Sequence, residues 1–296
     1  MKNKIYPFLL LLTVIGLPLV SWSQRNIDDE FYAQNLNYYN PSFSILSRDT
    51  MNYINAYDTH TMLRIAPNNT KQVVSPELAY LAFSKINNFT FIYNINYQHL
   101  SYTSQNEIGL GAIYSLKIKQ QHQINFGLRA NFGFYNLKRF NKMDYATDVK
   151  RKNLKVLADL DFGIDYVYKG LDIGISGKNL LASKYKPDEI LFQNQHGLYA
   201  NVSYNFDIKN KVEIKPTIFM MPLDYTNLFI SLEVGLFKQF YVQYAFRLNQ
   251  LRSQYNAEYH LKLRSSNEIL IGLAFNHSMI YTDFNAGLRL GYIIRN

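Results

Sequence analysis

The sequence predicts an all-β fold: a transmembrane antiparallel β-barrel of about fourteen strands with a short N-terminal periplasmic arm or plug. Three observations predict it. Apolar and polar residues alternate with a period of two over most of the chain. Tight turns join the alternating segments at one end and longer links join them at the other. Aromatic residues are abundant, with 25 Tyr and 20 Phe among 296 residues, yet the mean hydropathy is only −0.20. A bundle of membrane helices would be far more apolar.

Residues 1–23 read as a cleaved secretory signal. Lys2 and Lys4 form a positive start, Phe8 to Val20 an apolar run, and Ser21-Trp22-Ser23 places small residues before Gln24. The apolar run falls short of the roughly 20 residues a spanning helix needs. No later stretch is apolar for that length. The chain has no cysteine, which excludes disulfides, thiolate metal sites and cysteine nucleophiles. The net charge is +9, but the charges are scattered singly through alternating segments. The one tight basic cluster, Lys150, Arg151, Lys152 and Lys155, reads as a solvated loop, so no nucleic-acid partner is expected.

The alternation is clearest in three places. In 123–134, Ile124, Phe126, Leu128, Ala130, Phe132 and Phe134 oppose Asn125, Gly127, Arg129, Asn131 and Gly133. In 154–168, an apolar row from Leu154 to Tyr168 opposes Lys155, Asp159, Asp161, Gly163 and Asp165, with Leu157 and Val167 as exceptions. In 284–292, Phe284, Ala286, Leu288, Leu290 and Tyr292 oppose Asn285, Gly287, Arg289 and Gly291. Successive strand side chains point to opposite faces, so each segment has one dry and one polar face. The predicted strands are 59–66, 76–84, 88–98, 106–116, 122–137, 154–168, 170–176, 196–206, 211–219, 226–237, 240–247, 256–263, 267–275 and 283–294. Several approach the roughly 9–11 residues needed to cross a bilayer at a tilt.

The connections favour a membrane barrel over a soluble one. Links after even-numbered strands are tight, as at Lys169-Gly170 and Lys238-Gln239. Links after odd-numbered strands run longer, as at 67–75, 138–153 and 177–195. Short periplasmic turns opposite long outer loops are the outer-membrane pattern, and they place both chain ends in the periplasm. Tyr166, Tyr168, Tyr204, Phe206 and Tyr292 fall on dry faces at the tight-turn end, where an aromatic belt would lie. Pro216 interrupts this reading, because it lacks the N–H that a paired strand donates.

The barrel is thus assigned to 59–296, preceded by 24–58, which does not alternate. That segment holds Asp28, Asp29 and Glu30, then Asn35-Leu36-Asn37-Tyr38-Tyr39-Asn40-Pro41-Ser42-Phe43. It is too polar to cross lipid as a strand.

These residues resemble the PorP/SprF family of Bacteroidota outer-membrane proteins, associated with type IX secretion and gliding motility. The family has a Tyr- and Asn-rich stretch leading to Asn-Pro, then a small–aromatic step and a Gly. Here Asn40-Pro41 matches, Ser42-Phe43 is similar in character, and the Gly is missing. Asp161-Phe162-Gly163-Ile164, Leu171 to Ser176, Asn179-Leu180, Ile214-Lys215-Pro216-Thr217 and Tyr244 to Arg247 are also similar, in the same order. The chain end, Tyr292 to Asn296, departs from the family by a polar tail. The resemblance implies a barrel that works through partners. Those would be outer-membrane lipid, type IX secretion components or an exported adhesin, and a periplasmic lipoprotein. It makes Asn40 and Pro41 candidate partner-binding positions and implies no cofactor.

No catalytic or metal site is expected. The six histidines, His60, His99, His122, His196, His260 and His277, show no i,i+2 or i,i+4 pair. No phosphate-binding loop or nucleophile elbow is present. The carboxylates predicted to face the lumen are Asp159, Asp161, Asp165, Asp172, Glu213, Glu233 and Glu258. They share that face with Arg129, Lys155, Lys215, Arg247, Lys262 and Arg289, which suits a salt-bridged interior. A second function compatible with the same pattern is a porin-like or hydrophobic-solute transport channel. A third, an outer-membrane hydrolase, rests on the carboxylates alone.

Overall fold

A computed structural model describes residues 36–43, 53–68, 71–99, 103–118, 121–137, 155–185, 192–193, 196–221, 224–248, 251–263, 267–278 and 284–295. The expected signal segment, most of the arm, and Lys150, Arg151 and Lys152 lie outside these residues.

The strands are β1 Tyr53–Asn68, β2 Lys71–Ile86, β3 Phe89–His99, β4 Thr103–Ile118, β5 His122–Leu137, β6 Lys155–Tyr168 and β7 Leu171–Lys178. After the small hairpin of β8 Lys184–Tyr185 and β9 Phe192–Gln193 come β10 Gly197–Tyr204, β11 Phe206–Ile208, β12 Val212–Met221 and β13 Asp224–Leu236. The last are β14 Phe240–Arg247, β15 Arg252–Lys262, β16 Glu268–Ser278 and β17 Phe284–Arg295. All pairings are antiparallel. β10 and β11 are two halves of one crossing, so the wall has 14 crossings, one for each predicted segment. The first strand pairs with the last, from Tyr53↔Arg295 to Ile65↔Phe284, and β10 pairs with both β7 and β12. Each crossing therefore has a hydrogen-bonded neighbour on both sides, and following the pairs from β1 leads back to β1. Most backbone donors and acceptors of the crossings are then paired around the ring, as a hydrocarbon environment demands.

The inside and outside are inverted relative to a soluble barrel. On β5, Asn125, Arg129 and Asn131 are buried, whereas Phe126, Leu128 and Phe132 are exposed. On β6, Asp159, Asp161 and Asp165 are buried, and Val156 and Phe162 are exposed. On β14, Gln243 and Arg247 are buried, and Phe240, Val242 and Tyr244 are exposed. The dry faces look outward and the polar faces line the lumen. An apolar surface of this extent fits lipid, since water-soluble monomers keep such patches small. Leu157, one exception to the alternation, is buried on the lumen side.

One rim carries the predicted tight turns, but several links at the other rim are shorter than expected: β4 already begins at Thr103 and β15 at Arg252. At one rim Lys169-Gly170, Lys209-Asn210 and Phe237-Lys238 each have two successive positive φ angles. That backbone twist matches the twist of the strands in two-residue hairpins. Gly170, at φ 86°, also lies against the Asn205 carbonyl, so a side chain there meets both strain and a clash. At the other rim the long link expected over 67–75 is instead strand. β1 starts at Tyr53, ahead of the expected Thr59, and β1 and β2 pair out to Asn68↔Lys71. Hydrogen bonding carries this hairpin past the stretch where one face is dry, and the alternation fades there.

Pro216 sits beside a gap. β10 pairs with β12 down to Ser203↔Thr217, and β11 resumes at Phe206↔Ile214 in the same register. Tyr204 and Asn205 belong to neither ladder. The missing donor is accommodated by interrupting one ladder, without a bulge. On its other side Pro216 stays in register with Leu232.

Candidate functional site

Residues 36–43 lie inside the barrel. Leu36–Tyr39 form a single helical turn, and Asn40 to Phe43 close a tight turn in which the Phe43 N–H donates to the Asn40 carbonyl at 3.0 Å. Asn37, Tyr39, Asn40, Pro41 and Ser42 are buried against the lumen wall. The Asn40 side chain organises the turn. Its Oδ1 accepts from the Ser42 N–H at 3.0 Å and from Ser42 Oγ at 2.5 Å, and its Nδ2 donates to Asn201 Oδ1 on β10 at 3.3 Å.

The wall is shaped for this turn. Gly127, Gly163 and Gly174 stand on β5, β6 and β7, and Gly127 and Gly163 are directly paired. A Cβ on Gly127 would run into the Pro41–Ser42 backbone. On Gly163 it would strike Asn40 Oδ1, and on Gly174 it would strike Asn40 and Asn201. Three glycines thus make a flat floor on which the Asn-Pro-Ser backbone rests. Beside the floor, Ser176 Oγ donates to the Tyr39 carbonyl at 2.8 Å. We expect Gly127→Val to lift residues 36–43 off the wall at an overpacking cost of about 1–3 kcal/mol. Amide exchange should then accelerate over 36–43 while β5 and β6 stay protected. Unchanged protection of 36–43 would refute the seat described here.

A buried charge ties the segment down from its other side. Arg129 on β5 faces Asp161 on β6, its register partner. Its Nη2 and Nε donate to Asp161 Oδ2 at 2.8 and 3.1 Å, and its Nη1 donates to the Asn37 carbonyl at 2.9 Å and to Asn37 Oδ1 at 3.2 Å. Asn131 Nδ2 adds a bond to Asp161 Oδ2 at 2.6 Å. The other carboxylate oxygen accepts from the Asn179 N–H at 2.8 Å. Asp159 accepts from the Leu181 N–H at 2.9 Å. Asp161 therefore holds the arginine, and both aspartates hold the turn that follows β7.

The third part of the seat is apolar. Tyr39, Tyr199, Phe219, Met221, Phe229 and Ala245 form a buried cluster inside the lumen. The Tyr39 ring lies 5.3 Å from Tyr199 and 4.8 Å from Phe219. Arg247 covers the Phe229 ring at 4.8 Å.

A separate polar network occupies the wall of β11–β17. Glu258 accepts from Arg289 Nη1 at 2.5 Å and contacts His260 Nε2 at 2.5 Å, and Tyr241 Oη donates to Glu213 at 3.3 Å. Lys238 reaches Asp207 at 3.3 Å and Glu213 at 3.7 Å. Charges of both signs interlock across the lining, as the sequence pattern predicted. Among the described side chains of the lining set, Lys262 is exposed, at the tight-turn rim. Among the described residues no group of three or more potential metal ligands converges.

The structure brings together residues that lie far apart in the chain. Asn40-Pro41, Asp161, Gly163, Gly174, Ser176 and Asn179 all meet at one seat. Ala245 and Arg247 reach its apolar side. Asn40 and Pro41 are buried, so what they contact here is the wall. Sequence reasoning missed the Tyr39 slot and the role of Gly127. The available signal was glycine at polar-face positions of successive strands.

A closed barrel with a dry outer face and a polar, segment-filled lumen defines an outer-membrane β-barrel protein. The fold agrees with solved examples. The CymD monoaromatic hydrocarbon channel is similar with a TM-score of 0.53 at 11% identity, over 92% of this chain and 94% of that one. A Pseudomonas aeruginosa FadL homologue is similar with a TM-score of 0.52 at 9% identity, over 90% and 94%. No curated protein matches in sequence. The family model for the type IX secretion system membrane protein PorP/SprF matches residues 23–292, and the chain belongs to that family. Fold and family are non-enzymatic in kind.

Proposed function

We propose that this barrel serves type IX export by holding an exported adhesin, or the machine that delivers it, at the cell surface. The family match over residues 23–292 carries the reading. The lumen adds support, because its wall is already built to seat a peptide segment that is not part of the wall. In this reading the arm expected over 24–58 ends where β1 begins, at Tyr53, and its 36–43 portion plugs the lumen. Asn40 and Pro41 serve partners by fixing that arm on the glycine floor. The tight turns, the start of β1 and the end of β17 share one rim, which we assign to the periplasm, where a lipoprotein partner would meet it. Residues 1–23 are assigned to the export signal.

Affinity purification of the tagged chain from native outer membranes should recover secretion components or an adhesin. A clean monomer that conducts ions would favour the second reading, a porin-like or hydrophobic-solute channel, which the polar lumen lining supports. Planar-bilayer recording separates the two, since a lumen plugged by 36–43 passes little current.

A further inference from the structure

Among the described residues, one seam of the wall has an interrupted ladder. Every other pair of neighbouring crossings shares a single ladder of at least seven pairs, the number at β6–β7. β10 meets β12 over only four, from Ala200↔Met220 to Ser203↔Thr217. Then comes the gap beside Pro216, and β11 adds three more pairs. Local opening of a fold costs least where ladder bonds are fewest.

The lumen side of this seam is where Tyr39 packs. Tyr199 on β10 and Phe219 on β12 stand across the seam from each other, with ring centroids 5.6 Å apart. Tyr39 lies against both rings. Asn40 adds its bond to Asn201 on β10, and Ser176 on β7 holds the Tyr39 carbonyl. On the lipid side the same region presents Ile218 and Ile230, both exposed. One aromatic ring thus braces, from inside, the joint whose ladder is broken into two short runs.

We propose that the slot formed by Tyr199, Phe219, Met221 and Phe229 is a ligand site for a single aromatic ring of tyrosine size. Tyr39 fills it in cis, and filling it latches the β10–β12 seam. With Tyr39 withdrawn, the seam loosens toward the bilayer and the slot accepts a tyrosine side chain of another polypeptide. The slot is apolar and closely walled, so an empty one loses contacts on every side and takes up a ring of matching size. This inference stands on the wall geometry and holds under either reading of the barrel's function.

The test uses the full chain in lipid nanodiscs, amide exchange read by mass spectrometry, and p-cresol as the tyrosine side-chain analogue. Tyr39→Ala should speed exchange at 200–203 and 217–220 by about tenfold or more, with β4 and β5 unchanged. Tyr39→Phe should keep the protection. Millimolar p-cresol should restore it in Tyr39→Ala and leave the unsubstituted chain unaffected. If Tyr39→Ala does not fold, its refolded yield with and without p-cresol reads the same property, and recovery with p-cresol supports the proposal. Unchanged seam exchange in Tyr39→Ala, equal acceleration of all strands, or no effect of p-cresol on exchange or yield would overturn it.

Discussion

Arg129→Ala is expected to destabilise the barrel by about 3–5 kcal/mol, the usual cost of removing one member of a buried ion pair. Arg129 is 1% exposed and Asp161 is fully buried. With the guanidinium gone, Asp161 keeps only Asn131 and the Asn179 N–H as donors to a full negative charge. The Asn37 carbonyl also loses its tie to the wall. Arg129→Lys should not fully rescue, because an ammonium keeps the charge but lacks the planar fork that presents Nε and Nη2 to Asp161 and Nη1 to Asn37. Replacing both partners by leucine should cost less than Arg129→Ala alone, since no unpaired charge remains. Urea unfolding in lipid vesicles measures all three variants. A single-variant loss below about 1 kcal/mol, the range of exposed pairs, would mean that the lumen is wetter than this structure shows.

The neighbouring residue makes the opposite demand. Leu128 is 50% exposed near the middle of β5, on the face we assign to lipid. Leu128→Arg should cost about 2–4 kcal/mol, as a charge does on the lipid face near the bilayer midplane. In a water-soluble barrel the same change at a half-exposed position would be worth within about 0.5 kcal/mol. The unfolding assay that reads Arg129→Ala therefore also tests which solvent the outer face meets. Position 128 rejects arginine and position 129 requires it.

That contrast explains what was legible in the sequence. The polarity of each strand face depends on the residues of that strand alone, so the order and approximate place of all fourteen crossings could be read from alternation. The direction of the dry face could be argued from the turn and loop pattern, and burial of Arg129 and Asp161 agrees with it. The outer hairpin of β1 and β2 was not legible, because beyond the lipid neither face needs to be apolar. The seat of Asn40-Pro41 was less legible still. It depends on Gly127, Gly163 and Gly174, which lie on three strands far along the chain and act only once those strands are aligned. Tyr39 is one of 25 tyrosines, and nothing local distinguishes it from those that face lipid.

The pairing of β1 with β17 governs the timing of assembly. Tyr53 finds Arg295 only after the whole wall has been synthesised, so no closed barrel of fewer strands precedes the complete one. Loop-closure entropy grows slowly with loop length, so this distant contact costs little stability. It costs time instead, because folding slows as contacts become less local. Until the last strand arrives, β1 and β16 each carry a row of unpaired backbone groups, the surface through which partly made sheets join one another. A chain truncated before Phe284 should therefore aggregate rather than form a smaller pore. The cell has reason to keep such a chain escorted until its final residues are in place.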